Sequence, residues 1–108
     1  MSIWYRVRDL GAARRFYCET LGFEEAYVDE EDRWARLTRG DVEVAIAEGD
    51  PEEEEAVLTL EVGDVKAEAE RLRAAGVDVG TVVEIPSTIR LLDVFDPDGN
   101  RLQLSQDL

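Results

Sequence analysis

The sequence predicts an α+β fold built from two βαβββ modules. Three observations carry that prediction. The two halves of the chain repeat one another, each half has an aspartate placed to cap a helix, and each helix is followed by three strand-like runs. With 108 residues and 44% hydrophobic side chains, one domain with a small core is expected. Its modules span about 1–49 and 56–108 and are joined by the acidic loop 50–55.

The first half opens with Tyr5-Arg6-Val7-Arg8-Asp9-Leu10 and the second with Leu60-Glu61-Val62-Gly63-Asp64-Val65. Each is a short alternating run ending in Asp. An Asp side chain there accepts from the unpaired N–H groups of a first helical turn. The first helix is expected to bury Ala13, Phe16, Tyr17 and Leu21 and to stop at Gly22; the second, Val65, Ala69, Leu72 and Ala75 or its neighbours, stopping at Gly76. One deletion in the second helix brings the glycines into step. Strands are expected at 23–28, 33–38 and 42–48, with Arg39-Gly40-Asp41 as a hairpin turn. In the second half they fall at 77–85, 89–95 and 101–105, with Asp96-Pro97-Asp98-Gly99-Asn100 between the last two. Each helix covers one face of its own sheet; the other face is either covered by something else or left as a concave, partly wet surface. The run Asp50-Pro51-Glu52-Glu53-Glu54-Glu55 reads as a solvated connection without the ligand spacing of an EF-hand.

Composition excludes several classes of function. A formal charge of −14, from 26 acidic and 12 basic residues, repels phosphate backbones and anionic lipid, so neither nucleic acid nor membrane is an expected partner. No apolar run approaches the roughly 20 residues of a membrane span. The N-terminus lacks a signal-peptide pattern, which makes a cytoplasmic location the expectation. A single cysteine, Cys18, rules out an internal disulfide, and the absence of histidine removes the commonest general base and transition-metal ligand.

Taken together, Val7-Arg8-Asp9-Leu10, Phe16-Tyr17, Leu21-Gly22-Phe23, Leu60-Glu61-Val62-Gly63-Asp64-Val65, Ala74-Ala75-Gly76-Val77 and Asp96-Pro97-Asp98-Gly99-Asn100 resemble the vicinal oxygen chelate superfamily. That superfamily holds glyoxalase I, extradiol dioxygenases, fosfomycin-resistance enzymes and bleomycin-resistance proteins. The resemblance implies an open, cup-shaped mixed sheet, and a homodimer. It also implies four strand positions that, in metal-dependent relatives, carry His and Glu ligands for a divalent cation. Those positions fall on Ser2, Ala45, Val57 and Gln103, with Glu43 as the alternative to Ala45. A hydroxyl, two alkyl groups and an amide do not replace the hydration shell of a dication. The expectation is therefore that no metal and no other cofactor is bound there.

Strand alternation places Ser2, Trp4 and Arg6 on the face opposite Ile3, Tyr5 and Val7. It places Trp34 and Arg36 opposite Ala35 and Leu37, and Val57, Thr59 and Glu61 opposite Leu58, Leu60 and Val62. On the last strand Arg101, Gln103 and Ser105 oppose Leu102 and Leu104. The run 91–95 has no clean alternation and is left unassigned. The candidate ligand-binding set is Trp4, Arg6, Trp34, Arg36, Thr59, Glu61, Arg101 and Gln103. Indole faces and guanidinium forks suit a small planar or amphipathic organic molecule, anions included. The alternative is that Trp4 and Trp34 lie in a dimer interface or plug the cup and that the arginines pair with Glu43 and Glu61. No catalytic residue is assigned: Cys18 has no histidine to activate it, and Glu43 or Glu61 acts as a base only if burial makes it one. Three readings stand: a metal-independent binding protein, a lyase or isomerase using a carboxylate base or a metal, and a dimeric interaction module.

Overall fold

In the structure, a computed structural model, residues 3–51 and 57–108 are described. The element order is β1 (Ile3–Val7), α1 (Leu10–Arg15, continued by a π turn over Phe16–Thr20), β2 (Glu24–Asp29), β3 (Trp34–Arg39), β4 (Val42–Glu48), β5 (Leu58–Glu61), α2 (Val65–Ala74), β6 (Asp78–Val79), β7 (Val83–Ile85), β8 (Ile89–Phe95) and β9 (Arg101–Asp107). Most of the acidic connection, and Ser2, lie outside the described residues.

The chain divides into two compact units. Residues 3–51 form one together with Pro97–Asn100; the other is Val57–Asp96 with Arg101–Leu108. In the first, a four-stranded sheet has the order β1-β4-β3-β2; in the second the order is β5-β9-β8-β6, with β7 also on β8. Both sheets are open and mixed. The first strand of each unit pairs in parallel with the last, Trp4 opposite Ala45 in one and Thr59 opposite Gln103 in the other. The remaining neighbours are antiparallel. A parallel pair needs a long crossover, which the helix and the intervening strands supply.

The helix starts follow the aspartates. Asp9 Oδ1 accepts from Ala12 N, and Asp64 Oδ1 from Ala67 N, each at 3.0 Å. The last strand adds a second cap in both units. Glu48 accepts from Leu10 N at 3.0 Å, and Gln106 accepts from Val65 N at 2.9 Å. The helix ends also match, with Gly22 at φ 76° and Gly76 at φ 80°, the left-handed region that glycine enters without a Cβ clash. Val77 N donates to Leu72 O, and Gly76 N to Arg73 O, which closes the second helix as a Schellman turn. The residue by which the two helices differ in length is the π turn of the first. A π turn takes in one extra residue without breaking the helix.

Tyr5, Val7, Ala35, Leu37, Val44 and Ile46 are buried with Leu10, Ala13 and Tyr17 in the first unit. Leu58, Leu60, Leu92, Val94, Leu102 and Leu104 are buried with Val65, Ala69 and Leu72 in the second. Phe16 is only half-buried, and Ala75, already the C-cap of the second helix, is exposed. Three further expectations are corrected. Arg33 is not a strand residue: it takes φ 57° in the preceding turn, where two hydrogen bonds to Glu48, of 3.3 and 2.9 Å, hold it. The strand expected at 77–85 is broken around Gly80-Thr81-Val82, where a β-carbon on Gly80 would stand 3.5 Å from Asp93 Cβ. The last strand runs on to Asp107.

The Asp-Pro-Asp-Gly-Asn turn does more than reverse the chain. Asp98 Oδ1 accepts from Arg8 N at 2.9 Å, and Asn100 Nδ2 donates to Arg6 O at 2.9 Å. These bonds satisfy polar groups at the end of β1, and Asn100 is 6% exposed. Asn100→Ala leaves the Arg6 carbonyl without this donor and is expected to lower stability by about 1–3 kcal/mol, measured by denaturant unfolding. Glu48 is held below the ordinary carboxylate range, first by the Arg33 guanidinium and then by Leu10 N. A carboxylate lowered in the folded state contributes stability above its unfolded pKa of about 4.3, and loses it as pH falls through the folded value. Glu48→Ala is therefore expected to lower Tm at neutral pH, with the deficit shrinking below about pH 4. Glu48→Gln keeps an acceptor for the helix, as Gln106 does, and is expected to fall between the two in a thermal melt series.

Candidate functional site

The side chains that β1, β3 and β4 turn away from the buried face make one continuous surface on the first unit. In register across that sheet stand Trp4, Ala45, Arg36 and Tyr27, and one step along stand Arg6, Ala47, Trp34 and Asp29. Trp4 and Trp34 belong to strands separated by β4, whose backbones lie about 9.6 Å apart. Their ring centroids are nevertheless 5.6 Å apart, tilted at 42°. The rings approach so closely because β4 places only the methyl groups of Ala45 and Ala47 between them. Ala45, flanked in register by Trp4 and Arg36, is 3% exposed.

Tyr27 completes the cluster, with its ring centroid 5.1 Å from Trp34 and an interplanar angle of 43°. Sequence reasoning missed it. A β-bulge between Glu25 and Tyr27 shifts the register of β2, so that Glu25 pairs with Leu37 and Tyr27 with Arg36. Without the bulge, alternation keeps Glu25 and Tyr27 on one face. With it, Glu25 binds Arg14 of α1 by two bonds of 2.8 and 3.0 Å, and Tyr27 turns to the tryptophans. Re-aiming a side chain is what bulges commonly do beside functional surfaces. Trp4 is 49% and Tyr27 47% exposed, so ring faces remain open to solvent.

Two guanidiniums interleave with these rings. Arg36 sits 4.0 Å from Glu43, with both side chains nearly half exposed, a loose pair of small energetic weight. Arg6 lies along the end of β4: a β-carbon on Gly49 would stand 3.5 Å from its Cδ and 3.6 Å from its Nη1.

The other four predicted residues belong to the second unit. Thr59, Gln103 and Asp93 stand in register across β5, β9 and β8. Gln103 Nε2 donates to Asp93 Oδ1 at 3.3 Å, and Arg101 Nη1 lies 3.5 Å from Asp93 Oδ2. Asp93 went unassigned because β8 is apolar at both Leu91 and Leu92; burial now separates Leu92 and Val94 from Leu91, Asp93 and Phe95. Glu61 is exposed, whereas Ser105, expected on the open face, is buried. It lies between Glu61 and Leu91 in the sheet.

The register sets Ala45 beside Trp4 as it sets Gln103 beside Thr59, and Glu43 lies two residues from that position. The donors at these places do not fit a divalent cation. Ala45 and Val57 have none, Gln103 offers a neutral amide already engaged with Asp93, and Ser2 lies outside the described residues. Asp93 supplies one carboxylate, faced by a guanidinium. Among the described residues no group of three or more Asp, Glu or Cys side chains is placed to hold a metal ion.

A surface cavity of about 280 Å³ elsewhere on this unit is lined by Gly11, Arg14, Arg15, Cys18, Glu19 and Glu25. Burial, followed by the charge of Glu25, pushes the Cys18 thiol up, away from the thiolate that nucleophilic chemistry needs. Among the described residues, no helix is long and apolar enough to cross a membrane.

Comparison with known proteins gives the fold its context. An integron cassette protein from the mobile metagenome of the Halifax Harbour sewage outfall superposes with a TM-score of 0.84 at 23% identity, over 98% of this chain and 96% of that one. The fosfomycin resistance protein FosX of Listeria monocytogenes gives 0.84 at 20% identity, over 100% and 92%. The antibiotic binding protein TnmS3 of a Streptomyces species gives 0.77 at 26% identity, over 99% and 93%. No curated protein matches the sequence. Residues 2–104 match the model of the Glyoxalase/Bleomycin resistance protein/Dioxygenase superfamily, and the chain belongs to that family.

Proposed function

We propose that this protein is a metal-independent binder of a small planar or amphipathic organic molecule, acting by sequestration. The observation that carries this reading is the cluster of Trp4, Trp34 and Tyr27 over Ala45 and Ala47. Two half-exposed rings, Trp4 and Tyr27, with the partly buried Trp34 between them in contact with both, offer a broad apolar contact that tolerates many ligand orientations. Small residues beneath them leave the rings room to adjust. TnmS3, an antibiotic binding protein, supports binding as a function for this fold. Catalysis has less support. Glu43 and Glu61 are both exposed, not in the dry setting that makes a carboxylate a useful base at neutral pH. The same proposal has the protein working in the cytoplasm as a homodimer. Exposed Val83 and Ile85 on β7 are the kind of apolar surface that a second copy covers.

Both tryptophans of the chain belong to the cluster, so all indole emission reports on it. Titration with a panel of planar aromatic drugs is expected to quench or shift that emission, with Trp34→Ala abolishing the response. Unchanged emission across the panel overturns the proposal. Ala45→Leu pushes the rings apart and is expected to cost about 1–3 kcal/mol of stability. It should also weaken the coupled tryptophan signal in circular dichroism. Sedimentation at micromolar concentration is expected to give a dimer, and a monomer refutes that part of the reading.

A further inference from the structure

We infer that the aromatic surface of the first unit recognises planar aromatic anions, with Arg6 as the group that reads the negative charge. This rests on the binding function proposed above and names its ligand class. The open face of the sheet carries two cations, Arg6 and Arg36, and three acids, Glu24, Asp29 and Glu43. Arg36 is placed against Glu43. Asp29 Oδ1 is occupied by Asp32 N at 2.9 Å. Among the described residues no carboxylate lies within 4.0 Å of the Arg6 guanidinium.

A guanidinium with no acid beside it among the described residues is notable in a chain with 26 acidic residues against 12 basic ones, where seven other arginines, among them Arg8, Arg14 and Arg33, are each placed against an acid. Arg6 is also well sited. It follows Trp4 by two residues on β1 and stands in register with Trp34 across Ala47. A flat ring system resting on the indoles therefore presents an in-plane substituent toward its fork. One planar fork holds a carboxylate by two parallel hydrogen bonds, and its single positive charge balances the carboxylate's single negative one. The chain's net charge of −14 opposes any anion at long range. At physiological salt, however, charges beyond about 8 Å are largely screened, and the local partner decides.

The test compares 2-naphthoate with its neutral isostere 2-naphthamide and the cation 2-naphthylmethylammonium, by calorimetry and indole emission at 0.15 M salt. Naphthoate is expected to bind about three- to tenfold more tightly than the amide. Arg6→Gln should remove that preference while leaving the thermal melt unchanged, and Arg6→Lys should restore part of it. Equal affinity for the three probes, or preference for the cation, overturns the anion assignment and leaves the binding function intact. Preference for naphthoate that persists in Arg6→Gln also overturns it. Failure of all three probes to bind removes the binding function itself, and this inference with it.

Discussion

Each unit of this protein depends on one constraint, the parallel pairing of its first strand with its last. That pairing fixes which residues of the crossover lie beneath the helix. It also brings the end of the last strand to the start of the helix, where Glu48 accepts from Leu10 N and Gln106 from Val65 N. Register is thus held at two points, the ladder and the cap. A slip of one residue in β1 turns Tyr5 and Val7 to solvent and drives Trp4 and Arg6 under the helix, so the burial of Tyr5 and Val7 resists it. The aromatic surface inherits its geometry from that register. Trp4 stands beside Ala45 because Tyr5 stands beside Ile46 in the core.

The Asp-Pro-Asp-Gly-Asn turn shows the same logic from the other direction. Its chain position belongs to the second module, between β8 and β9, yet Pro97–Asn100 cluster with the first unit. Asp98 and Asn100 explain why: Asn100 bonds the Arg6 carbonyl of β1, and Asp98 the Arg8 N–H just beyond its end. As a bare turn the sequence needs only Pro and Gly at their positions. The flanking Asp and Asn are there for a partner some ninety residues away in sequence. Local propensity therefore accounts for half of the motif and tertiary hydrogen bonding for the rest.

That division runs through everything the sequence made legible. Caps at Asp9 and Asp64, left-handed glycines at 22 and 76, and alternation along β1, β3 and β5 are short-range features, and reading along the chain finds them. The four candidate residues of the first unit, Trp4, Arg6, Trp34 and Arg36, do share one open face. Features decided by a partner strand were not readable. The bulge that turns Tyr27 toward Trp34 is a mismatch between β2 and β3, and nothing in Glu24-Glu25-Ala26-Tyr27 announces it. Asp93 was hidden because two leucines precede it, and only the pairing of β8 with β9 shows which of them faces the core. The π turn was visible solely as an unexplained extra residue between repeats.

The repeat makes clear why fold and function separate here. In equivalent registers the buried positions stay apolar: Tyr5 matches Leu60, Ile46 matches Leu104, and Leu37 matches Val94. Exchanging one of these for a polar group costs several kilocalories, so both modules keep them. The open positions carry no such penalty. There Trp4 matches Thr59, Ala45 matches Gln103, and Arg36 matches Asp93. One module presents rings over small residues with guanidiniums between them; the other presents a hydroxyl, an amide and a carboxylate held by Arg101. Two copies of one architecture within a single chain thus carry opposite surface chemistry. The same freedom operates between this protein and its structural relatives, so their shared backbone argues for a common core and leaves function to the side chains on the open face.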